Sequence, residues 1–272
     1  MIVMSNNQWL CDRNCPWWQE RGLDCSAEAR APGFVRAYKE IDADVVGLQE
    51  VSRKMEALIM DELRPLNYEI ITGGDTPILF RRDRVKLLES GFFRYTEDIP
   101  GLVGSFNNVE SKSYTWGMFE TRDEAKKRFA LLSTHLWWKS SAVQPGSNEA
   151  RAYQIRQASA ALTAVMERYN CFGIIMGDLN ASMDSLCLKA AGEEGWTDVH
   201  YLAAESDDTR GHHPCGPNGY SRQETFPPFS EAIDHILIKN GAGVKISYFR
   251  RLTDAWFDPI SDHYPLYCDL EW

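Results

Sequence analysis

Short apolar runs that stop abruptly at an acid, an amide or a histidine constrain this 272-residue chain more than any other feature. The clearest is "CFGIIMGDLNAS", Cys171 to Ser182, where an apolar segment runs straight into Gly177, Asp178 and Asn180. A short, continuous apolar run bounded by turn formers reads as a buried strand. Comparable runs lie at 2–5, 43–49, 68–72, 77–81, 85–88, 113–120, 128–134, 172–177, 231–238, 244–249 and 264–270. Helical spacing predicts helices around 33–41, after Ser52 as a cap, over Asn148–Tyr169 and around 183–192. In the longest, Ile155, Ala158, Leu162, Val165 and Tyr169 form an inward stripe. Alternating strands and helices, with hairpin-like pairs interspersed, predict sheets covered by outer helices. No repeat or linker divides the chain, so residues 1–272 read as a single domain.

Composition narrows the class. Apolar content of 44% and charged content of 25% suit a soluble globular protein. No run of 18 apolar residues and no secretory leader is seen, so a cytoplasmic location is expected. The seven cysteines lack paired zinc spacing; free thiols are the favoured reading, with a disulfide among Cys11, Cys15 and Cys25 as the minor one. A net charge of −10 argues against passive adhesion to duplex DNA or an anionic membrane, yet acids gathered around a metal would account for part of it.

Strand-like segments end at Asn7, Glu50, His135, Asp178 and Asn180, and Asp234, Asp262 and His263 stand at two more. Singly, each reads as a cap or a hydrogen-bonded core residue. Together they place acids, amides and histidines where neighbouring strands converge, with no evident nucleophilic Ser or Cys. That inventory suits a hard, oxygen-preferring cation such as Mg²⁺, with Mn²⁺ as a substitute, beside groups that handle a phosphate ester.

In this order, "LQEV", "STHL", "GDLN", "IDHI" and "SDHYPL" resemble the motif set of the endonuclease/exonuclease/phosphatase superfamily. The opening "MSNNQW" fits its Ser-x-Asn start with Asn7 in the amide position, Asn6 being the alternative by one residue. The resemblance implies an α+β fold, a four-layer α/β/β/α sandwich of two mixed sheets packed face to face, like deoxyribonuclease I. It also implies divalent-metal-dependent hydrolysis of a phosphodiester or phosphomonoester. Glu50 would be the main metal ligand, with Asn7 close by and Asp262 contacting the ion. Asp178 would activate water, and Asn180 would hold Asp178 or the phosphate. His263 would stabilise developing charge, with Asp234 fixing its tautomer, and His135 would face the phosphate from the other side. Trp9 stands where the exonuclease III branch commonly has Asp, and His135 points instead to the deoxyribonuclease, sphingomyelinase and small-hydrolase branches.

Two loops stand out for length, 96–112 and 203–230. In the second, Arg210, His212, His213 and Arg222 read equally as a grip on a second phosphate and as solvated surface. Trp17, Trp18, Trp137 and Trp138 flank motif segments; Trp137 is the candidate for an apolar wall against substrate, core packing being the competing reading. His235, next to Asp234 on a strand, should point to the opposite face. Two other functions compete with a phosphoesterase of a small or exposed substrate: a nuclease acting on DNA or RNA, and a non-catalytic binding protein. The intact set of acids and histidines weighs against the last.

Overall fold

The computed structural model describes residues 1–10, 20, 22, 24–107, 111–207 and 232–272. Thirteen strands appear among them, in two sheets. The first sheet holds β1 (Ile2–Asn7), β2 (Val45–Gln49), β3 (Tyr68–Ile71), β4 (Ile78–Arg81), β10 (Ala203–Ser206), β12 (Lys245–Arg251) and β13 (Leu266–Glu271), in the order β10-β12-β13-β1-β2-β4-β3. The second holds β5 (Val85–Arg94), β6 (Ser113–Thr121), β7 (Arg128–His135), β8 (Phe172–Asp178), β9 (Thr197–Asp198) and β11 (Asp234–Lys239), in the order β5-β6-β7-β8-β11-β9. Both are mixed: β1 and β2 run parallel, as do β7 and β8, while β11 lies antiparallel to β8.

The sheets meet face to face over Val3, Val45, Ile78, Phe119, Phe129, Leu131, Ile174, Met176 and Ile236, all buried. Helices α1 (Ala27–Ile41) and α2 (Arg53–Leu63) cover the outside of the first sheet through Phe34, Tyr38, Met55 and Ile59. Helices α3 (Ser147–Tyr169) and α4 (Leu186–Glu193) cover the second through Ile155, Ala158, Leu162 and Ala190. The result is the expected α/β/β/α sandwich. No described helix is long and apolar enough to cross a membrane.

Local chemistry explains most boundaries. Ser52 caps α2 by accepting from the Met55 N–H at 3.0 Å, as its position before an apolar stripe predicts. Helix α1 starts six residues earlier than the expected position 33, capped by Ser26, and carries Pro32 inside it. Strand β5 runs on to Arg94, past a register shift between Leu87 and Glu89. The stripe on α3 holds through Val165, but Tyr169 is part-exposed and donates its hydroxyl to Glu89 at 2.9 Å. Cys171, Cys187 and Cys268 are free thiols and Cys25 is buried; Cys11, Cys15 and Cys215 lie outside the described residues, as do Trp17 and Trp18.

Candidate active site

Strand order gathers the polar strand ends. In the second sheet, Asp178 stands level with His135 on one side and Asp234 on the other, so three ionisable groups line one rim. In the first, Asn7 is level with Gln49, which places it beside Glu50. The turn before β13 adds Asp262 and His263. The sequence choice between Asn6 and Asn7 resolves by direction: Asn6 accepts from the Tyr38 hydroxyl at 2.8 Å, away from the rim. Asn7 Nδ2 donates to Glu50 Oε1 at 3.2 Å and to Asp178 Oδ2 at 3.0 Å, tying the two sheets together.

Around this amide the groups pack closely. His263 Nδ1 lies 2.7 Å from Asp234 Oδ2, which turns its Nε2 toward Asp178 and Asp262, each 3.9 Å away. His135 Nε2 lies 3.5 Å from Asp178 Oδ2 and 3.7 Å from Glu50 Oε1. Asn180 holds Asp178 through its main chain, its N–H donating to Oδ1 at 2.8 Å, while its side-chain amide donates to the Leu136 carbonyl at 3.2 Å. Glu50 and Asn180 sit at φ 56° and 48°, and Trp9 beside them at 52°. A left-handed glutamate or tryptophan is uncommon and strained, and such strain gathers at functional sites.

Two residues absent from the sequence-based set complete the cluster. Lys112 is 3% exposed, and its Nζ lies 2.5 Å from His135 Nε2 and 3.2 Å from Nδ1. Asp75 Oδ2 approaches His135 Nδ1 at 3.3 Å, and its Oδ1 accepts from the Ser113 hydroxyl at 3.0 Å. Asn107 fixes the lysine's main chain, accepting from its N–H at 2.8 Å and donating to its carbonyl at 2.9 Å. Both residues precede strands rather than end them. Because β6 is antiparallel to β7, its entry lies beside the exit of β7, with Ser113 level with His135. Polar residues at strand entries were therefore as good a signal as those at exits.

Electrostatics follow from this packing. Burial would raise the Glu50 carboxyl, but the neighbouring His135 and Lys112 overcome it and hold the group at about 2. Burial pushes Asp262 up to about 7, reinforced by Glu50 and Asp178 against the opposing effect of His263. Burial opposes charging of His263, yet Asp234 and Asp262 hold it well above the ordinary histidine value. Lys112 is lowered by burial, with Glu50, Asp75 and Asp178 opposing. Asp262 Oδ1 is buried without a hydrogen-bond partner. Its nearest cation is His263 Nε2 at 3.9 Å, too far for a hydrogen bond, and a buried carboxylate oxygen without a donor in an acid-rich pocket is what a bound cation satisfies. Ligand atoms of Glu50, His135 and Asp178 lie within 4.8 Å of one another, as do those of Asp178, Asp234 and His263. The residues therefore fit a hard divalent ion.

One expectation fails. Trp137 is fully buried against Phe106 and Ala150, and its indole N–H donates to Ser147 at 3.2 Å. No face of its ring is left for a substrate; the adjacent Trp138 is 56% exposed. Arg210, His212, His213 and Arg222 lie outside the described residues. His235 points away from the site, as the strand alternation predicted, bridging Asp198 and the Ala181 carbonyl at 2.8 Å each.

Comparison with known proteins agrees with this architecture. Solved structures of similar fold include a mannosyl-6-phosphatase of Bacteroides thetaiotaomicron, at 21% identity, TM-score 0.75 and full coverage of both chains. The human Nocturnin catalytic domain with a bound sulfate matches at 18% identity and TM-score 0.70, covering 100% of this chain and 94% of that one. TDP2 of D. rerio, complexed with a single-strand DNA product, matches at 18% and 0.69, covering 100% and 99%. At these identities the likeness is one of fold. No curated protein matches the sequence. The model of the Endonuclease/Exonuclease/phosphatase family matches residues 21–263. By that match over most of its length, the chain belongs to the endonuclease/exonuclease/phosphatase family.

Proposed function

We propose that this protein is a Mg²⁺-dependent phosphoesterase acting on a small or exposed phosphate ester, with Mn²⁺ able to substitute. The observation that carries the reading is an Asp262 oxygen with no hydrogen-bond donor, in the same acidic cluster as the Asn7-bridged Glu50 and Asp178 carboxylates. Asn7, Glu50 and Asp262 would hold the ion, which when bound supplies Lewis-acid polarisation of a phosphoryl oxygen. Asp178, oriented by the Asn180 N–H and the Asn7 amide, takes the proton of the attacking water. His263, held charged and aimed by Asp234, donates to a phosphoryl oxygen as negative charge builds there. His135 and Lys112 present positive charge from the opposite wall, steadied by Asp75. Preorganised donors of this kind offset the repulsion that protects a phosphate ester from an anionic nucleophile.

Lys112, His135 and His263, the cations of the described site, gather around Asp178 rather than along an extended track, which supports a compact substrate over a polymer gripped along its backbone. The mannosyl-6-phosphatase neighbour is consistent with that choice. A nuclease is the second reading, favoured by the fold's likeness to a protein solved with single-strand DNA. The chain is read as a single domain over 1–272.

The test is hydrolysis of a panel under Mg²⁺, Mn²⁺ or EDTA. It comprises p-nitrophenyl and bis-p-nitrophenyl phosphate, sugar and inositol phosphates, sphingomyelin, RNA, and plasmid and single-stranded DNA. Metal-dependent turnover abolished in Asp178→Asn and His263→Ala is the expected result, with phosphate release from a small ester exceeding cleavage of nucleic acid. Preferential cleavage of nucleic acid would install the nuclease reading. Neither turnover nor metal binding would sink the enzyme reading.

A further inference from the structure

Arg30 lies on the inner side of α1 and is 1% exposed. Its Nη1 donates to the carbonyls of Gln8 at 2.6 Å and Ile260 at 3.0 Å; Nη2 donates to the Trp9 carbonyl at 2.9 Å and Nε to that of Cys25 at 2.9 Å. Its guanidinium carbon sits 5.5 Å from the Trp9 ring centre and 5.8 Å from that of Phe34. Gln8 and Trp9 directly follow Asn7, and Ile260 stands two residues before Asp262. One side chain thus clamps the two segments that carry those groups.

The sheet alone does not join them. The last pair of the β1–β13 ladder is Ser5 with Leu266, so both segments run on beyond it. Carbonyls buried there need donors from elsewhere. A guanidinium supplies several in a fixed planar fork, which a lysine ammonium does not. Ser261 adds a second stitch, its hydroxyl donating to the Asn7 carbonyl at 2.8 Å and accepting from the His263 N–H at 3.2 Å. The clamped segment also reaches Glu50, through the Leu10 N–H on Oε2 at 2.9 Å. Burying a guanidinium is expensive, and an apolar side chain would fill the space without that cost. What it would not do is hold the two main-chain segments in register.

We propose that Arg30, assisted by Ser261, is the positioning residue that sets the affinity of this site for its divalent cation. The inference rests on the reading of Asn7, Glu50 and Asp262 as the ion's ligands. Removing a group that orients metal ligands costs roughly 10–100-fold in metal affinity. The experiment is calorimetric titration of the full chain with Mn²⁺, alongside urea denaturation in EDTA. Wild type, Glu50→Gln, Arg30→Lys, Ser261→Ala and Arg36→Ala would be compared, the last removing an exposed ion pair with Glu40 and a stacking contact on the Trp256 ring at 3.9 Å, neither of which touches the clamp.

Wild-type binding that is lost in Glu50→Gln establishes the ion site. Against that baseline, Arg30→Lys should bind Mn²⁺ roughly 10–100-fold more weakly and Ser261→Ala more weakly by a smaller factor, with Arg36→Ala unchanged. A purely structural arginine would lower the urea midpoint and leave Mn²⁺ affinity of the folded protein as it was, which overturns the proposal. Should Arg30→Lys fail to fold, Ser261→Ala decides by the same criterion. If wild type binds no ion, the metal reading itself falls, and this inference with it.

Discussion

Gly177→Ala should damage both the fold and the site, and the size of the effect follows from two observations. Gly177 has φ +146°, in a region that L side chains rarely adopt. An added Cβ would lie 1.9 Å from the Thr134 carbonyl oxygen, a main-chain atom of the neighbouring strand. Carbon and oxygen need about 3.3 Å even in a close contact, so β7 and β8 would have to part by more than about 1 Å. The backbone strain costs roughly 1–3 kcal/mol and the overpacking roughly as much again, for a total of about 2–6 kcal/mol. In a chain of this size that is a loss of roughly 4–11 °C in melting temperature. The displaced strands are those that set His135 level with Asp178, so the residual folded enzyme should lose about 10²-fold in kcat. Urea denaturation in EDTA and steady-state kinetics measure the two parts. Gly192→Ala is the control: it lies in α4 with nothing within 4 Å of the added carbon, and should stabilise by about 0.5–1 kcal/mol. A Gly177→Ala protein within about 0.5 kcal/mol of wild type would refute the reasoning, since that is the range of an inconsequential surface change.

Three further outcomes are expected. Lys112→Met keeps the aliphatic stem and removes the charge, so kcat should fall by about 10²–10³ while the protein stays folded; wild-type turnover would show that Lys112 faces no developing charge. Trp137→Ala should cost about 3–5 kcal/mol in chemical denaturation, and Trp138→Ala less than about 0.5, which separates the core tryptophan from the exposed one. His235 is raised above its ordinary 6.5: burial opposes the charge, but Asp198 more than compensates. A raised histidine contributes stability that is fully present below the unfolded value and lost as pH rises through the folded one. Wild type should therefore lose stability on the alkaline side of 6.5 more steeply than His235→Gln, and parallel denaturation profiles for the two would contradict this.

Much of the fold was legible because buried strands write themselves as apolar runs and their exits as polar residues. Asn7, Glu50, His135 and Asp178 were found in that way. The same rule hid Lys112 and Asp75, which stand at strand entries in polar surroundings. Nothing local separates Lys112 from the exposed Lys126 or Lys127; its burial arises from Asn107 and from the pairing of β6 with β7. Arg30 was equally silent, since the expected helix began at 33 and left it in the preceding loop, where a charged residue reads as surface. Pro32 misplaced the start of α1 because proline usually opens or ends a helix, whereas Ser26 does the capping. The paired tryptophans resolve through the third dimension: one packs under the site loops and its neighbour turns outward.

On the proposed metal reading, gathering these acids should cost stability when no ion is bound, and Asp262 is where that cost is expected to show. Asp262 is raised from 3.8 to about 7, mainly by burial and then by Glu50 and Asp178. A group with a raised folded pKa binds more protons folded than unfolded, so stability falls as pH rises from about 4 to about 7 and stays low above it. Asp262→Asn removes that ionisation. In EDTA at pH 8 the variant should be at least as stable as wild type, and the advantage should shrink as the pH is lowered. Added Mg²⁺ should reverse the order, because an ion that binds only the folded wild type stabilises it by about 2.7 kcal/mol at a hundredfold excess over its dissociation constant. If Asp262→Asn is the less stable protein in EDTA at pH 8, the carboxylate is serving the fold rather than an ion, and its undonated oxygen loses its meaning as a metal ligand.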